Sequence, residues 1–248
     1  MLKKIVANTR IQYVIKNKLV QHFYQPLFEM KNRGIFGYEA LTRCKFLQDP
    51  EKLFKLASRA NSLYQLDTAS IQTALLAFGS SEHAEHSSRL FLNIFPSTLL
   101  NPSFFSLVDT MMTVNSTLRN RIVFEIVESE HIPDMSALKE VIHVLHDYDL
   151  RIAIDDVGKG AFSLQRVLEL EPDFIKLDRY FSINLSRSMN KQKMVSLFVG
   201  YCDGGDAQLV LEGIESAEDF ETAKSIGVHL GQGYFLGGVN PLEKTPVA

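Results

Sequence analysis

The sequence has few cysteines and no long apolar run. Its two cysteines, Cys44 and Cys202, lie far apart and form no CxxC pair, which excludes a disulfide-rich secreted scaffold. Polar residues interrupt the first ten positions before the apolar region of a signal peptide develops. No uncharged apolar stretch is long enough to cross a bilayer. We therefore expect a soluble, cytoplasmic protein without a membrane span.

A large excess of charge of either sign is also missing. The chain carries 26 basic and 29 acidic residues, which gives a formal net charge of −3. This balance gives no general electrostatic reason to bind a nucleic-acid polymer or an anionic membrane. Any anionic ligand must therefore be held by a local site.

The histidines do not indicate a zinc site. His83 and His86 lie in a polar stretch, and His143 and His146 lie on a predicted helix. Two histidines three residues apart on one helix are able to bind a metal, but a partly exposed helical face explains this pair better. Metal binding by the pair stays open as the weaker alternative.

Short β-rich runs alternate with longer segments of helical period from residue 34 onward. The 248 residues, 46% of them hydrophobic, suffice for one sizeable core. The predicted strands are Ile35–Leu41, Leu90–Ile94, Ile122–Val127, Arg151–Asp155, Phe174–Leu177, Leu209–Leu211 and Gly227–Leu230. The predicted helices are Leu53–Phe78, Met135–Tyr148, Phe162–Leu170, Met189–Cys202 and Ala217–Ile226. This alternation favours one α/β domain with a (βα)8 barrel, and an open doubly wound sheet is the second choice.

Polar side chains lie at or just after the carboxyl ends of most of the predicted strands. They are Glu39, Asn93, Glu125, Asp155, Asp156, Lys176, Asp178, Glu212, Glu215 and Gln232. In a barrel the carboxyl ends of parallel strands meet at one mouth, so several carboxylates are expected to be buried together. Such burial is costly unless a cation offsets the charge. Carboxylate and amide oxygens favour Mg²⁺, Mn²⁺ or Ca²⁺ over zinc or copper.

Each acid taken alone has a simpler interpretation. Glu39 suits a capping or surface position, and the pair Asp155–Asp156 suits the start of a helix, where negative charge is favourable. The placement of five or more such residues at strand ends is what favours a metal site over these interpretations.

Seven short motifs resemble those of the EAL-domain family, in the same order. The segment Gly37–Arg43 (Gly-Tyr-Glu-Ala-Leu-Thr-Arg) carries the signature that names the family, and Tyr24–Leu27 precedes it. The further matches are Phe91–Pro96, Phe124–Glu128, Ile154–Gly160, Ile175–Asp178, Glu212–Glu215 and Gly231–Phe235. The resemblance runs from about residue 9 to about residue 241. We expect residues 1–248 to form a single EAL domain.

This resemblance implies a fold, a reaction and a ligand. The implied fold is a modified (βα)8 TIM-type barrel with one antiparallel strand. The implied reaction is hydrolysis of cyclic di-GMP (c-di-GMP), bound across the barrel mouth, to linear 5′-pGpG by a two-metal mechanism. Two Mg²⁺ or Mn²⁺ ions per site are the implied cofactors, and Ca²⁺ is expected to inhibit. The expected partners are c-di-GMP and a second copy of the chain or a regulatory protein, with no nucleic-acid polymer.

The resemblance also assigns roles to residues of this chain. The implied metal ligands are Glu39, Asn93, Glu125, Asp155, Asp156 and Glu212. The implied catalytic residues are Glu39, Lys176 and Glu212, with the lysine contacting the nucleophilic water and the phosphate. The implied substrate-binding residues are Gln25, Leu41, Arg43 and Gln232. Glu128, Asp178 and Glu215 match family residues that support the metal ligands and the loop after Asp156.

The loop after the Asp pair departs from the family pattern. Val157 stands where the family has an aromatic residue and Lys159 where it has threonine, while Gly158 and Gly160 keep the backbone freedom of the loop. Cys44 stands where the family usually has tryptophan. Every implied metal ligand is retained, so an active hydrolase is the favoured hypothesis. The alternative is a weak or inactive domain that binds c-di-GMP as a receptor and signals through a protein partner.

Overall fold

Eight strands of this chain close into one barrel with helices outside it. The computed structural model describes residues 2–84, 87–114, 118–128, 130, 132, 134–159 and 163–242. The strands are β1 (Val20–Glu29), β2 (Ile35–Cys44), β3 (Arg89–Ile94), β4 (Ile122–Ile126), β5 (Arg151–Val157), β6 (Phe174–Leu177), β7 (Gln208–Leu211) and β8 (Leu230–Gly231). Each strand pairs with its neighbours in sequence, and β8 pairs with β1. The closed barrel confirms the predicted α/β barrel and excludes the open doubly wound sheet.

Helices connect most of the strands. They are α1 (Leu2–Lys16), α2 (Pro50–Arg59), α3 (Leu63–Gly79), α4 (Pro96–Leu99), α5 (Phe104–Val114), α6 (Met135–Asp147), α7 (Ser163–Leu170), α8 (Met189–Asp203) and α9 (Ala217–Ile226). Short 3₁₀ helices cover Glu82–Ala84 and Leu185–Arg187. In the part of the chain that the structure describes, every helix is too short or too polar to cross a bilayer.

The first strand runs antiparallel to both of its neighbours. β1 pairs antiparallel with β2 and β8, whereas every pair from β2 round to β8 is parallel. Residues 30–34 alone separate β1 from β2, which is enough for a hairpin and too few for the crossover that parallel strands need. The expectation of a barrel with one antiparallel strand is therefore confirmed.

The barrel interior has an apolar layer beneath a polar one. The apolar layer consists of Leu27, Phe91, Val123, Ala153, Phe174, Val210 and Leu230. Successive side chains alternate between the two faces of a strand, so residues two positions further along share the inward face. Those residues include Asn93, Glu125, Asp155, Lys176 and Glu212. The outward faces of the strands pack against the helices in a second, larger core.

The structure corrects two predicted elements. The predicted helix Leu53–Phe78 is two helices, because Asn61 takes a positive φ of 56° between α2 and α3. The predicted strand Gly227–Leu230 begins only at its last residue, because Gly227 ends α9 with a φ of 100°. The sequence patterns did not predict β1, α1, α4 or α5.

The other predicted elements agree with the structure to within three residues at each described end. Phe162, the predicted start of the helix that ends at Leu170, lies outside the described residues, and so does His86. The histidine pair on α6 does not share one environment: His143 is exposed, whereas His146 Nε2 lies 3.0 Å from Asp173 Oδ2. This arrangement fits the helical-face interpretation of the pair.

Candidate active site

Six consecutive strands each place one polar side chain in a cluster at the carboxyl end of the barrel. From β2 to β7 the members are Glu39, Asn93, Glu125, Asp155, Lys176 and Glu212. Glu212 follows β7 directly, and its backbone N–H donates to the Leu177 carbonyl at 3.1 Å. The cluster lies on the apolar layer of the barrel, which keeps water away from its lower side.

The Lys176 ammonium lies at the centre of this carboxylate cluster. Its Nζ is 2.7 Å from Glu125 Oε1, 2.9 Å from Glu212 Oε1, 3.1 Å from Asp155 Oδ1 and 3.3 Å from Glu39 Oε2. The side chains of Lys176 and Glu125 are fully buried, whereas those of Asp155 and Glu212 are each 19% exposed. Four carboxyl groups around one ammonium make the centre attractive to further cations.

Amide side chains extend the cluster toward β1 and β8. Asn93 Nδ2 donates to Glu39 Oε1 at 3.3 Å and to Glu125 Oε2 at 3.4 Å. Gln232 Nε2 donates to Glu39 Oε2 at 2.8 Å and to Gln25 Oε1 at 3.2 Å. Of the two glutamines that the family resemblance assigns to substrate binding, Gln232 contacts the glutamate of the EAL signature directly, and Gln25 is linked to it through Gln232.

Burial and charge shift the pKa values of the cluster in both directions. Burial raises the pKa of Glu125 well above its usual range, and the Glu39 charge adds to this. Burial also raises the pKa of Asp155, and that of Glu212 to about 8. Burial opposes ionisation of Glu39 too, but attraction by Lys176 and the hydrogen bonds from Gln232, Lys176 and Asn93 together outweigh it and lower the pKa. Burial disfavours the charged form of Lys176, yet the carboxylates around it raise its pKa well above the usual value, so it is cationic at neutral pH.

The donor atoms of the cluster are of the kind that divalent cations prefer. Glu125 Oε1 and Asp155 Oδ1 are buried and lack an aligned hydrogen-bond donor, although both lie close to the Lys176 ammonium. Carboxylate oxygens of this kind are the ligands that Mg²⁺ and Mn²⁺ prefer. Within the described ranges, no three acidic, histidine or cysteine side chains are gathered closely enough to hold an ion. Because the ammonium lies between the carboxylates, ion binding requires it to move away from part of this centre.

A cavity of about 660 Å³ opens beside the cluster. Glu39, Asn93 and Asp155 form part of its wall, and Leu41 and Arg43 join them from the end of β2. The rest of the wall includes Phe54 and Phe95, whose ring centroids are 5.1 Å apart, together with Asp67, Asp156, Glu128, Lys159 and Arg166. This volume is typical of sites for small-molecule ligands.

The loop after β5 holds the second acid of the predicted metal-binding pair. Asp156 has a φ of 54°, and its Oδ2 accepts a hydrogen bond from Lys159 Nζ at 2.9 Å. Gly158 has a φ of 97°, and a Cβ at this position would lie 2.3 Å from the Phe181 ring, so only glycine fits. Gly160, which the sequence assigns a similar role, lies outside the described residues. Lys159 therefore pairs with a predicted metal ligand.

The three predicted supporting residues contact loops around the cluster. Asp178 donates its backbone N–H to the Val157 carbonyl at 3.2 Å. Glu215 forms an ion pair with Arg179 at 3.2 Å, near the protein surface. Glu128 lines the cavity, and partial burial raises its pKa. These contacts support the loops that surround the carboxylates.

The sequence patterns missed two buried charged residues at the cavity. Asp67 is 1% exposed and its Oδ2 accepts the Phe95 N–H at 3.0 Å, while burial raises its pKa to about 7. Arg166 is 5% exposed and donates to the carbonyls of Val127 at 3.4 Å and Glu130 at 2.7 Å. The helical period provides a signal for the aspartate, because its position falls on the buried face of α3.

Comparison with known proteins places this chain among related sequences. The family model described as EAL domain matches residues 8–238. The cyclic di-GMP phosphodiesterase PA2567 of Pseudomonas aeruginosa is 26% identical over 217 residues, which cover 86% of this chain and 37% of that protein. The blue light- and temperature-regulated antirepressor BluF of Escherichia coli is 25% identical over 215 residues, covering 86% of this chain and 52% of that protein. The chain thus spans about half or less of the length of these relatives.

Solved structures show the same barrel. One is Klebsiella pneumoniae BlrP1 in a manganese and cyclic di-GMP complex, which is 27% identical with a TM-score of 0.79. The match covers 90% of this chain and 56% of the BlrP1 chain. A calcium and cyclic di-GMP complex of the same protein gives a TM-score of 0.80 at 25% identity, with the same shares of 90% and 56%. Because the family model covers residues 8–238, the chain belongs to the EAL-domain family.

Proposed function

We propose that this chain hydrolyses c-di-GMP to linear 5′-pGpG and thereby lowers the level of this second messenger. One observation carries the proposal: a buried ammonium, Lys176, lies among four carboxyl groups at the mouth of the barrel, next to a cavity of about 660 Å³. The names of PA2567 and of the BlrP1 complexes connect relatives of this chain with the same dinucleotide.

Oxygen ligands at the mouth suit two Mg²⁺ or Mn²⁺ ions. The residues proposed to hold them are Glu39, Asn93, Glu125, Asp155, Asp156 and Glu212. When bound, the ions would supply a water of lowered pKa and positive charge that offsets the charge of the phosphate. The manganese and calcium complexes of BlrP1 support the use of divalent ions here.

In the proposed reaction, water attacks phosphorus in line and the bond to a ribose 3′-oxygen breaks. Lys176 donates a hydrogen bond to the water and stabilises the negative charge that develops on the phosphate, since it is held cationic by its neighbours. Glu39 positions both the lysine and Gln232, because its Oε2 accepts from them at 3.3 Å and 2.8 Å. Glu212 contacts the same ammonium at 2.9 Å.

The substrate contacts are proposed to come from both sides of the barrel mouth. Arg43 and Leu41 line the cavity, and an arginine is able to bind two phosphate oxygens at once through its planar guanidinium. Gln25 and Gln232 are hydrogen-bonded to each other at 3.2 Å next to the carboxylates. Glu128, Asp178 and Glu215 are proposed to support the surrounding loops.

Incubation with c-di-GMP and Mn²⁺ or Mg²⁺, followed by chromatography for pGpG, tests the proposal. Glu39→Gln keeps the shape of the side chain but removes its charge, and we expect it to abolish cleavage. Glu140→Gln is the matched control, because Glu140 is exposed on α6 outside the site. Absence of pGpG from the wild-type protein with either ion, or full activity of the Glu39 variant, would contradict the proposal.

A receptor that binds c-di-GMP with weak or no cleavage is the second candidate. The ion pair between Lys159 and Asp156 favours this receptor function, because Asp156 is a proposed metal ligand and its carboxylate is already paired with the lysine. Replacement of Val157 by Phe together with Lys159→Thr restores the usual residues of this loop. If binding of c-di-GMP is tight and cleavage stays undetectable in both proteins, the receptor function is the correct one.

Several finer properties belong to the same proposal. We propose that residues 1–248 act as one domain in the cytoplasm, that Ca²⁺ inhibits, and that no nucleic-acid polymer is bound. A second copy of the chain or a regulatory protein is the proposed partner. Exposed Leu164 and Leu168 on α7, next to the loop after β5, support such an interface.

A further inference from the structure

Lys159 is folded back onto the acid that begins its own loop. The Lys159 backbone N–H donates to the Asp156 carbonyl at 3.1 Å, which closes a turn with Asp156 and Gly158 at positive φ. The same turn brings Lys159 Nζ to 2.9 Å from Asp156 Oδ2. Two contacts, one from the backbone and one from the side chain, therefore hold the lysine over this carboxylate.

The two lysines of the site divide the acidic residues between them. Lys176 contacts Glu39, Glu125, Asp155 and Glu212, all within 3.3 Å. Lys159 contacts Asp156, the remaining acid in the proposed ligand set. The Lys159 side chain is 59% exposed and the Asp156 side chain 32%, so the ammonium is able to leave into water.

From this arrangement we infer that Lys159 is a tethered cation that competes with the second divalent ion for Asp156. This inference rests on the proposed function, which places a metal ion at that carboxylate. Binding of the second ion then requires the ammonium to leave, and the concentration of free metal sets the fraction of molecules with both ions. With Lys159 present, a higher concentration of free metal is therefore needed to bind both ions than the carboxylates alone would require.

The expected size of the effect follows from the exposure of the pair. An exposed ion pair changes an equilibrium by a small factor, and repulsion between the ammonium and a doubly charged ion a few ångströms away adds to it. We therefore expect removal of the Lys159 charge to tighten binding of the second ion on the order of 10-fold. Binding of the first ion is expected to change much less.

The chain contains a matched control for this charge. Lys52 Nζ lies 2.9 Å from Asp49 Oδ2, with the same three-residue spacing and the same distance as the Lys159 pair. This second pair lies at the start of α2, where Asp49 accepts the Lys52 N–H as the helix cap. Lys52→Thr therefore removes an equivalent exposed ion pair without touching the proposed metal ligands.

Mn²⁺ titrations in the absence of nucleotide test the inference. Calorimetry and the electron paramagnetic resonance signal of free Mn²⁺ give the number of bound ions and their affinities in the wild type, Lys159→Thr, Lys159→Arg and Lys52→Thr proteins. We expect tighter binding of the second ion only in Lys159→Thr, because Lys159→Arg keeps the competing charge. Thermal unfolding of each variant checks that it is folded.

The outcomes separate this inference from the proposed function. Equal affinity for the second ion in wild type and Lys159→Thr overturns the inference, as does a single bound Mn²⁺ in both. A tighter second site in Lys159→Thr together with no cleavage of c-di-GMP by either protein supports the competition and refutes the hydrolase.

Discussion

Replacement of Lys176 by methionine is expected to destabilise the metal-free protein strongly and to make its stability depend more on divalent ions. Methionine is unbranched like lysine and carries no charge, so it fills much of the same space. The substitution leaves Glu39, Glu125, Asp155 and Glu212 without the ammonium that now lies within 3.3 Å of each. The perturbation is therefore mainly electrostatic.

The magnitude follows from the complete burial of Lys176. Removal of one partner of a buried ion pair costs about 3–5 kcal/mol, because the remaining charge is left uncompensated. For a chain of this size each kcal/mol lowers the melting temperature by about 2–4 °C, so we expect a loss of about 6–20 °C. The cost is limited by protonation of the carboxylates, which becomes easier when the cation is removed.

This protonation makes the loss depend on pH. In the variant, the carboxyl groups have folded-state pKa values raised above their unfolded values, so they favour the folded state at low pH and lose this effect as pH rises. Burial already raises the pKa of Glu212 to about 8 when Lys176 is present. The difference between wild type and Lys176→Met is therefore expected to be larger at pH 8.5 than at pH 6.

Thermal unfolding with a chelator at both pH values, and again with Mn²⁺, measures these effects. Mn²⁺ is expected to stabilise Lys176→Met more than the wild type, because the ion replaces the missing positive charge. Lys139→Met is the control, since Lys139 is 52% exposed and forms a surface ion pair with Glu171. Melting temperatures of Lys176→Met within about 2 °C of wild type at pH 8.5, which corresponds to under about 1 kcal/mol, would refute the reasoning.

Three further outcomes are expected. Glu39→Ala is expected to abolish the proposed cleavage of c-di-GMP, measured as pGpG formed, because the site loses a proposed metal ligand and the acceptor for Gln232. Added Ca²⁺ inhibits the Mn²⁺-loaded enzyme in the same assay, since its larger, more flexible shell acidifies water less. Asp67→Asn stabilises the protein above pH 7 by up to about 4 kcal/mol in urea denaturation, and the gain shrinks toward pH 4. The reason is that burial raises the Asp67 pKa from 3.8 to about 7, so its ionisation at high pH opposes folding.

The polar layer of the barrel was predictable from two features of parallel strands. A strand alternates its faces every residue, and consecutive strands of a parallel barrel end at the same rim. Glu125 and Lys176 each follow an apolar residue of the barrel interior by two positions. The sequence therefore predicts that such residues meet, although it does not predict that an ammonium lies at their centre.

The first strand shows where periodicity fails. β1 carries Gln21, His22 and Gln25 among its apolar residues, and its burial pattern does not alternate cleanly. Part of this strand contacts the polar mouth and part contacts α3, so both faces mix polar and apolar side chains. His22, for example, lies 3.0 Å from the Ser70 hydroxyl, and burial lowers its pKa to about 4.

The types of the residues in the sequence do not predict which carboxylate pairs with Lys159. The sequence alone does not choose between Glu128 and Asp156, because both carry a carboxylate close to the loop. The choice depends on backbone dihedral angles: positive φ at Asp156 and Gly158 turns the chain back, so the lysine returns to the residue three positions before it. The Lys176 ammonium contacts the other acids of the proposed ligand set. In the described structure it forms no ion pair with Asp156. The four-residue turn from Asp156 to Lys159 brings the Lys159 ammonium to Asp156. Lys176, on the neighbouring strand β6, contacts the other carboxylates.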